Sequence, residues 1–489
     1  MWWYVASSLL NGVATLIYPV FMKTKTILAA LLLLVIFAGC KKDSSKQTAP
    51  LGPINYNNYA NGGVNLEIVN SDPADYTDDQ LYVGVMGATT GANSQSAYID
   101  LKTGKTVLLN NLAALPQVVN PNNPTDGGKF IVIGTKMSDM PVDPATGHHS
   151  IPLPFIQSGR IMLSIGKPLY YYINPGGTSL AAPTKSTNPN DQNYGTVFDF
   201  MEFTYYANGG KATVYANTSR VDEYAISMGF QLNALQGTTG AIQTAGELMT
   251  HKNTIQAFLN FNKPADYNNC YRSFFQDIVN PGSMTDASGN QIFTTTATYQ
   301  HFQTYIDSIW QNYKTQDLLL VLGTGNVGST DSNLVIHGRV DVNNVFNFTQ
   351  TQTVNGTTTV TGGTLPIKPT TSDVLGGNAG TGAFNNSPLD GTPGHEMDNS
   401  LRVTFVAALN RHSILTNAAA GQIQYPEDVS KFYKTDPYNY YAAFFHSPGI
   451  SYNNLQYAFS YDDDAGQSST IVGDNPAYCT LYFGPVPKN

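Results

Sequence analysis

Two carboxylates, Glu202 and Asp222, lie among hydroxyl and amide side chains in the stretch from residue 197 to residue 232. Thr204 would share a strand face with Glu202, because side chains two residues apart point the same way. Ser219 precedes Asp222 by three residues. Paired carboxylates perform acid–base catalysis when one donates a proton and the other accepts one. The alternative is that both are exposed strand carboxylates without a catalytic role.

Other catalytic patterns are weak or absent in the sequence. His395-Glu396 lacks a second histidine at metal-binding spacing, and there is no Gly-x-Ser-x-Gly nucleophile elbow or glycine-rich phosphate loop. Asp462, Asp463 and Asp464 offer the oxygen ligands that calcium prefers, but not the spacing of an EF-hand loop. We therefore expect no metal ion and no cofactor, with calcium at these aspartates as the alternative.

The stretch around the two carboxylates contains Glu202-Phe-Thr204, followed by Asn217-x-Ser219-x-Val221-Asp222. This pattern resembles the β-1,3-glucanases of glycoside hydrolase family 64, within the thaumatin-like superfamily. Further segments are similar to that family in the same order, and the resemblance covers roughly residues 80–485. These segments are residues 158–164, 305–313, 368–374, 409–411, 438–441 and 457–463.

The resemblance implies that Glu202 is the general acid and Asp222 the general base of an inverting glycosidase. The glycosidic oxygen is a poor leaving group and needs a proton, while a carboxylate about 6.5–9.5 Å from the acid deprotonates the attacking water. The predicted sugar-binding residues are Thr204, Ser219, Tyr461, Asp462 and Asp463. We expect Phe198 and Phe200 to desolvate Glu202, and polar neighbours to keep Asp222 ionised.

The distance between the two carboxylates poses a difficulty. If Asn208-Gly209 forms a two-residue turn, Glu202 faces Tyr215, and Asp222 lies seven residues further on, roughly 23 Å along a straight strand. The loop must then be wider or bulged, or the strand must bend. Glu223 is a nearby substitute base, but it points to the other face of an extended chain.

Short runs of β-branched and aromatic residues, separated by Gly, Pro and Asn, predict strands in the first half of the chain. Predicted strands cover residues 64–69, 81–85, 129–133, 160–164, 169–173, 198–205, 211–217, 455–461 and 478–483. Apolar residues at helical spacing from Phe302 to Tyr313 predict an amphipathic helix. Ser400 would cap a second helix that ends at Arg411, and Asn355-Gly356 would close an exposed hairpin.

The predicted fold is mainly β with an α/β part: a thaumatin-like β-barrel or sandwich and a mixed α/β domain that together form a wide cleft. We place the β-domain at residues 61–235 and the α/β domain at residues 236–454. Residues 455–489 would return to the β-domain as C-terminal strands.

The N-terminal region resembles a bacterial lipoprotein signal. A short basic segment after Met22 precedes twelve apolar residues, which are too few to span a bilayer, and the run ends in Ala38-Gly39-Cys40. We expect residues 1–39 to be a signal region whose true start is Met22, Cys40 to be lipidated, and residues 40–60 to be a tether. A weak transmembrane segment in residues 1–21 is the alternative. The expected location is the outer membrane, facing the periplasm or the cell surface.

Composition narrows the class of protein. Charged residues make up 12% of the 489 residues, against about 25% in typical globular proteins, as in many exported β-rich proteins. The net charge of −9 argues against nucleic acid as a partner. Cys270 and Cys479 remain if Cys40 is lipidated, and they either pair or stay buried as free thiols.

The resemblance to family 64 implies an endo-β-1,3-glucanase that cleaves glucans of the laminarin or curdlan type to oligosaccharides, and we expect it to be a monomer. The alternative from another class is a non-catalytic, glucan-binding surface lipoprotein, since folds of this type also bind without hydrolysis. A purely structural surface protein, which would neither bind nor cleave glucan, is a third possibility.

Overall fold

The computed structural model describes residues 64–91, 93–208, 211–234, 242–284, 300–322, 334–354, 357–377 and 396–487. The predicted signal region, Cys40 and the tether lie outside these residues. The strands are β1 (Val64–Asn70), β2 (Leu81–Ala88), β3 (Ser96–Asp100), β4 (Lys105–Leu108), β5 (Val118–Val119), β6 (Lys129–Ile133), β7 (Thr135–Lys136), β8 (His149–Leu153), β9 (Ile156–Ile165), β10 (Leu169–Ile173), β11 (Leu180–Ala181), β12 (Val197–Asn208), β13 (Lys211–Asn217), β14 (Glu223–Tyr224), β15 (Met228–Ala234), β16 (Gln243–Gly246), β17 (Tyr271–Arg272), β18 (Asp277–Val279), β19 (Leu318–Leu322), β20 (Leu334–Val340), β21 (Phe346–Val354), β22 (Thr357–Leu365), β23 (Ile423–Gln424), β24 (Ile471–Asp474) and β25 (Pro476–Phe483).

The α-helices are short and fewer than the strands in the described part of the chain. They are α1 (His251–Asn260), α2 (Gln303–Asn312), α3 (Thr371–Gly376), α4 (Glu396–Arg411) and α5 (Tyr440–Phe445). The protein is therefore mainly β, as the sequence predicts. None of these helices is long and apolar enough to cross a membrane.

Two sheets pack face to face, built from strands of the first half of the chain together with the C-terminal strands β24 and β25. One has the order β16-β15-β25-β1-β8, and the other has the order β24-β13-β12-β9-β2-β3-β4, with β7 beside β2. Apolar side chains from both sheets form one buried core, which includes Val85 and Ile161 of the larger sheet and Leu66 and Leu481 of the smaller one. The C-terminal strand β25 lies parallel to β1 and antiparallel to β15.

Strand β12 divides its side chains between two faces. Met201, Phe203 and Tyr205 enter the core between the sheets. Alternation along the strand therefore turns Phe200, Glu202 and Thr204 to the opposite face. A smaller sheet, β11-β10-β6-β5, covers one end of that outer face, and Phe198 is buried there with Met162 and Tyr171.

A second core lies between helices and the sheet β22-β21-β20-β19-β23. The predicted helix is confirmed as α2, and its Ile306 and Trp310 pack with Phe346 and Phe405. The second predicted helix begins earlier than expected, so Ser400 lies inside α4. A serine inside a helix costs only a few tenths of a kcal/mol. The predicted hairpin is confirmed, since Val354 pairs with Thr357.

A third core joins α1 and α5 to the small sheet β14-β18-β17, through Tyr224, Phe258, Ile278 and Phe444. Cys270 belongs to this core, whereas Cys479 belongs to the core between the two large sheets. Both thiols are free and buried, so the disulfide alternative is wrong. The predicted strand at residues 455–461 is also wrong, because only an isolated bridge from Tyr457 to Ser219 forms there.

Candidate active site

The pairing of β12 with β13 places Glu202 opposite Asn217. Asn208 pairs with Lys211, so the two-residue connection is Gly209-Gly210 rather than Asn208-Gly209. The predicted partner of Glu202, Tyr215, is therefore wrong by two positions. Asn217, rather than Tyr215, lies opposite Glu202, so Asp222 follows this strand partner by five residues instead of seven.

The chain leaves the sheet after Asn217, and a buried ion pair holds the bend. The guanidinium of Arg220 is fully buried; its Nε donates to Glu247 at 2.9 Å and its Nη1 to Asp199 at 2.8 Å. Its backbone N–H donates to the carbonyl of Tyr457 at 2.7 Å. These contacts turn the segment that carries Asp222 away from a straight strand.

Glu202 lies on the open part of the sheet face, half exposed to solvent. Nη2 of Arg160, from the adjacent strand β9, approaches its Oε1 at 3.4 Å. The same guanidinium lies over the ring of Phe200, 4.2 Å from the ring centroid. Phe200 therefore supports Arg160, and the arginine is the charged neighbour of the predicted acid.

A bulge lies beside this carboxylate. The register of β12 against β9 shifts between Phe203 and Tyr205, and the N–H of Ser158 donates to Oγ1 of Thr204 at 3.2 Å. Bulges next to active sites change the direction of nearby side chains. Thr204 remains partly exposed on the face that carries Glu202.

Asp222 is exposed in the bend between β13 and β14. Partial desolvation of its carboxyl group raises the pKa of Asp222, and the charge of Arg160 opposes the rise. Arg160 thus contacts Glu202 and acts electrostatically on Asp222, so one cation serves both carboxylates. The N–H of Asn280 donates to the backbone carbonyl of Asp222 at 2.9 Å and fixes the local chain.

Glu223 does not share this site. Its carboxylate bonds Nζ of Lys185 at 2.7 Å and Nη2 of Arg272 at 3.0 Å, and the same two cations bind the buried Asp277. Because two cations hold it in an ion-pair cluster, Glu223 is poorly suited to act as a substitute base.

The C-terminal run contains Tyr457, Tyr461 and Asp463. Burial and the charges of Asp463, Asp462 and Glu202 raise the pKa of Tyr457, so its phenol lies within electrostatic range of Glu202 and of the aspartate run. Asp463 is exposed, yet burial of its surroundings and the charge of Asp462 raise its pKa, against the charge of Arg411. Tyr461 is partly buried, with the guanidinium of Arg402 5.6 Å from its ring centroid.

Two predicted sugar-binding residues are less accessible than expected. Asp462 is fully buried; it accepts from Arg411 at 3.0 Å, from Ala458 N–H at 2.9 Å, and lies 2.8 Å from Nε2 of His446. Burial disfavours its charge, but His446 and Arg411 outweigh that effect and lower its pKa. Asp462 therefore positions the segment rather than contacting a ligand. Ser219 is 8% exposed and pairs with Tyr457 through the isolated bridge.

A protein cation already neutralises the aspartate run. The guanidinium of Arg411 bonds Asp462 and, at 3.1 Å, Asp464. Within the described residues, no group of three or more His, Cys, Asp or Glu side chains is arranged to hold a metal ion. The calcium alternative is not favoured, because Arg411 lies where a bound cation would be needed.

Sequence reasoning missed Arg160, Arg220, Tyr457 and Asn280. Arg160 lies in one of the segments similar to the glucanase family, and the pairing of β9 with β12 places it directly opposite Glu202. A charge opposite a catalytic candidate in a predicted sheet was therefore a usable signal. Tyr457 also lies in one of those similar segments, whereas Arg220 and Asn280 act through contacts between distant parts of the chain, which no local pattern indicates.

Comparison with known proteins supports the family that the motifs resemble. The model of the family Glyco_hydro_64, described as beta-1,3-glucanase, matches residues 62–483. The β-1,3-glucanase domain of family 64 from Clostridium beijerinckii is similar in structure, with a TM-score of 0.63 and 26% identity, covering 88% of this chain and 99% of that one. No curated protein sequence matches the chain at a significant level.

Two more distant structures share the fold. The laminaripentaose-producing β-1,3-glucanase from Paenibacillus barengoltzii, complexed with laminarihexaose, has a TM-score of 0.56 and 23% identity, covering 91% of this chain and 79% of that one. A laminaripentaose-producing β-1,3-glucanase in complex with laminaritetraose has a TM-score of 0.53 and 19% identity, covering 86% of this chain and 98% of that one. Since the family model spans most of the sequence, the protein belongs to glycoside hydrolase family 64, the β-1,3-glucanases.

Proposed function

We propose that the protein is an endo-β-1,3-glucanase that inverts the anomeric configuration, with Glu202 as general acid and Asp222 as general base. The observation that carries the proposal is the shared cation: Arg160 bonds Glu202 and its charge acts on Asp222. One cation that acts on both carboxylates, within a chain of the β-1,3-glucanase family, supports their assignment as a pair.

The chemistry follows from the two environments. Glu202, half exposed, protonates the glycosidic oxygen as the bond to C1 breaks. Asp222 takes a proton from a water molecule, which attacks C1 from the opposite side of the sugar ring. The raised pKa of Asp222 makes its carboxylate a stronger base, which favours proton removal from water.

We propose that the glucan lies in a wide cleft between a thaumatin-like β-domain and the α/β part. Thr204 and Ser219 would line one wall, and Tyr461 and Asp463 the other. Asp462 would hold that second wall in place through Arg411 and His446. The laminari-oligosaccharides bound by the two more distant relatives support linear β-1,3-linked glucose as the ligand class.

Hydrolysis is tested by reducing-sugar release from laminarin and curdlan, with product sizes followed over time. An endo enzyme shortens long chains early, whereas the binding-only alternative releases no reducing ends. Proton NMR of the fresh mixture reports the first anomer formed. We expect the α-anomer, and an initial β-anomer would mean retention through a carboxylate nucleophile.

We further propose that Cys40 carries a lipid anchor that holds the mature enzyme at the outer membrane. Replacing Cys40 with Ala should release the protein from the membrane fraction without changing its specific activity. A Cys40→Ala protein that stays in the membrane fraction would show that another segment is the anchor.

A further inference from the structure

A cavity opens on the same sheet face as Glu202, toward the end that the smaller sheet covers. It has a volume of about 310 Å³ and lies between β2, β9 and β12 on one side and β10 and β11 on the other. Pockets for small ligands range from about 300 to 1,000 Å³, so this one admits a single ring-sized group. None of the assigned roles accounts for it.

The cavity has an apolar floor and a polar rim. Leu109, Met162, Tyr171 and Phe198 form the floor, and all four are at least nine-tenths buried. The exposed rim carries hydroxyl and amide groups, namely those of Gln95, Asn110, Ser158 and Ser179. A closed floor admits the end of a molecule and excludes a chain that runs through.

The floor contains a buried hydroxyl group without a partner. Tyr171 is 1% exposed, and its phenol oxygen forms no hydrogen bond with the described residues. Buried polar groups in folded proteins are nearly always hydrogen-bonded, so such a group calls for a ligand atom. Burial raises the pKa of Tyr171, against the charge of Arg160, and the phenol therefore remains a donor.

The cavity is connected directly to the proposed catalytic pair. Arg160 lines it and bonds Glu202 at 3.4 Å. Phe200 also lines it and precedes Glu202 by two residues on the same strand face, a separation of roughly 6.6 Å. A group in the cavity could thus be attached by a short linkage to a sugar held at Glu202.

The lining indicates a pyranose. Aromatic rings at Tyr171, Phe198 and Phe200 suit the apolar face of a sugar ring, and the rim groups suit its peripheral hydroxyls. No carboxylate lines the cavity, so nothing in it attracts a cation. A residue linked through C6 has an additional rotatable bond, which lets it turn out of the line of the main chain.

We propose that this cavity binds a single glucosyl residue carried as a β-1,6-linked branch on the β-1,3-glucan chain. The inference rests on the proposed glucanase function and extends its substrate class to branched glucan. The branch enters beside Arg160, its ring packs on the aromatic floor, and one of its oxygens accepts the hydrogen bond from Tyr171.

The test uses matched variants in an Asp222→Asn background, which retains the Arg160–Glu202 contact and does not depend on turnover. Calorimetry compares a linear laminari-oligosaccharide with the same oligosaccharide bearing one β-1,6-linked glucose. We expect the background protein to bind the branched ligand about tenfold more tightly. Ala182→Phe fills the cavity from its exposed rim and should abolish that preference while leaving linear affinity unchanged.

Ala181→Phe is the control, because Ala181 is the adjacent residue and does not line the cavity. It should keep the preference. Tyr171→Phe should reduce the preference about fivefold, the effect of one neutral hydrogen bond.

Equal affinity for the two ligands in the background protein overturns the proposal, as does a preference that survives Ala182→Phe. Equal weakening of both ligands by Ala182→Phe would mean that a chain end occupies the cavity. Absence of laminarin hydrolysis by the wild type would overturn the glucanase function alone.

Discussion

Glu202 lies within the twelve-residue strand β12, paired with Arg160 on one side and Asn217 on the other. Asp222 lies in irregular chain between β13 and β14, where a backbone hydrogen bond from Asn280 joins it to a neighbouring segment. One carboxylate is thus held by a continuous sheet, and the other by a few specific contacts. Moving Glu202 would break strand pairing on both sides, whereas moving Asp222 would break only those few contacts.

A buried ion pair, rather than strand pairing, holds the chain next to Asp222. Arg220, two residues before it, is fully buried between Asp199 and Glu247. Asp199 belongs to the same strand as Glu202, and Glu247 follows β16 directly, so the ion pair ties the bend to both large sheets. A position fixed in this way is sensitive to a single substitution, whereas a strand position shares its restraint among many hydrogen bonds.

The largest expected effect comes from removing either carboxylate. Glu202→Gln and Asp222→Asn should each lower turnover of laminarin by about 10²- to 10⁴-fold, because general acid and general base are both required. Binding of laminari-oligosaccharide should survive in both variants. Asp317→Asn, an exposed carboxylate paired with Arg339, is the control and should retain wild-type turnover. Near-normal turnover in Asp222→Asn would show that the bend holds a different base in place.

The second effect tests the buried anchor. Arg220→Met leaves Asp199 and Glu247 buried without their cation, which should cost about 3–5 kcal/mol of unfolding free energy. The matched control is Arg339→Met, since Arg339 is half exposed in its pair with Asp317 and should contribute less than about 1 kcal/mol. Urea unfolding at neutral pH measures both. Similar losses in the two variants would contradict the view that the buried pair holds the bend.

The contrast between a residue held in a strand and one held in irregular chain explains how much of the structure the sequence predicts. The run from Phe198 to Tyr205, rich in aromatic residues, predicts β12 and the face that carries Glu202. The register with β13 was off by two positions, because Asn208-Gly209-Gly210 offers two possible two-residue turns and local preference does not choose between them.

Positions outside the sheets depended on distant contacts. Residues 455–461 have the composition of a strand, but Gln456 donates to Glu247 at 2.9 Å and the N–H of Ala458 donates to Asp462, so the segment folds as irregular chain. Sequence similarity indicated that Asp222 and Asp463 belong to the site. Their environments follow from Arg220 and Arg411, whose partners lie far away in the sequence.

The third effect concerns the aspartate run on the opposite wall. Burial, with the charges of Glu427 and Asp463, raises the pKa of Asp464 to about 7, against the charge of Arg411. In the unfolded chain, Asp464 has a pKa near 3.8 and loses its proton above about pH 4. The folded protein keeps that proton up to about pH 7, so the free energy of unfolding falls as the pH rises from about 4 to about 7. Asp464→Asn should flatten this part of the stability profile, measured as Tm between pH 4 and pH 8.

Asp462→Asn is the matched comparison, because Asp462 also bonds Arg411 but has a lowered pKa. Its carboxylate stabilises the fold above the unfolded pKa, and that contribution is lost as the pH falls. The variant should therefore be destabilised at neutral pH and lose less stability than the wild type on acidification. A wild-type profile that is flat from pH 4 to pH 7 would rule out the perturbation at Asp464.

The smallest expected effect is on the pH dependence of activity, and it tests Arg160, which acts on both carboxylates. The charge of Arg160 lowers the pKa of Asp222, so Arg160→Gln should raise it and move the acid limb of the kcat/KM profile to higher pH. The acid limb moves to higher pH because Asp222 must be ionised to act as the base, and without the guanidinium it binds its proton more tightly. Arg160 is only partly buried, so solvent screening should keep the shift below about one pH unit.

Arg160→Lys keeps the positive charge but not the planar contact with Phe200, and it should leave the acid limb near its wild-type position. High salt should move the wild-type limb toward that of Arg160→Gln, since added ions screen the same charge. Turnover at the optimum is a separate readout, because losing the contact with Glu202 affects the acid directly. If the limb does not move in Arg160→Gln, the group that titrates there is not Asp222, and the carboxylate fixed in the bend does not serve as the base.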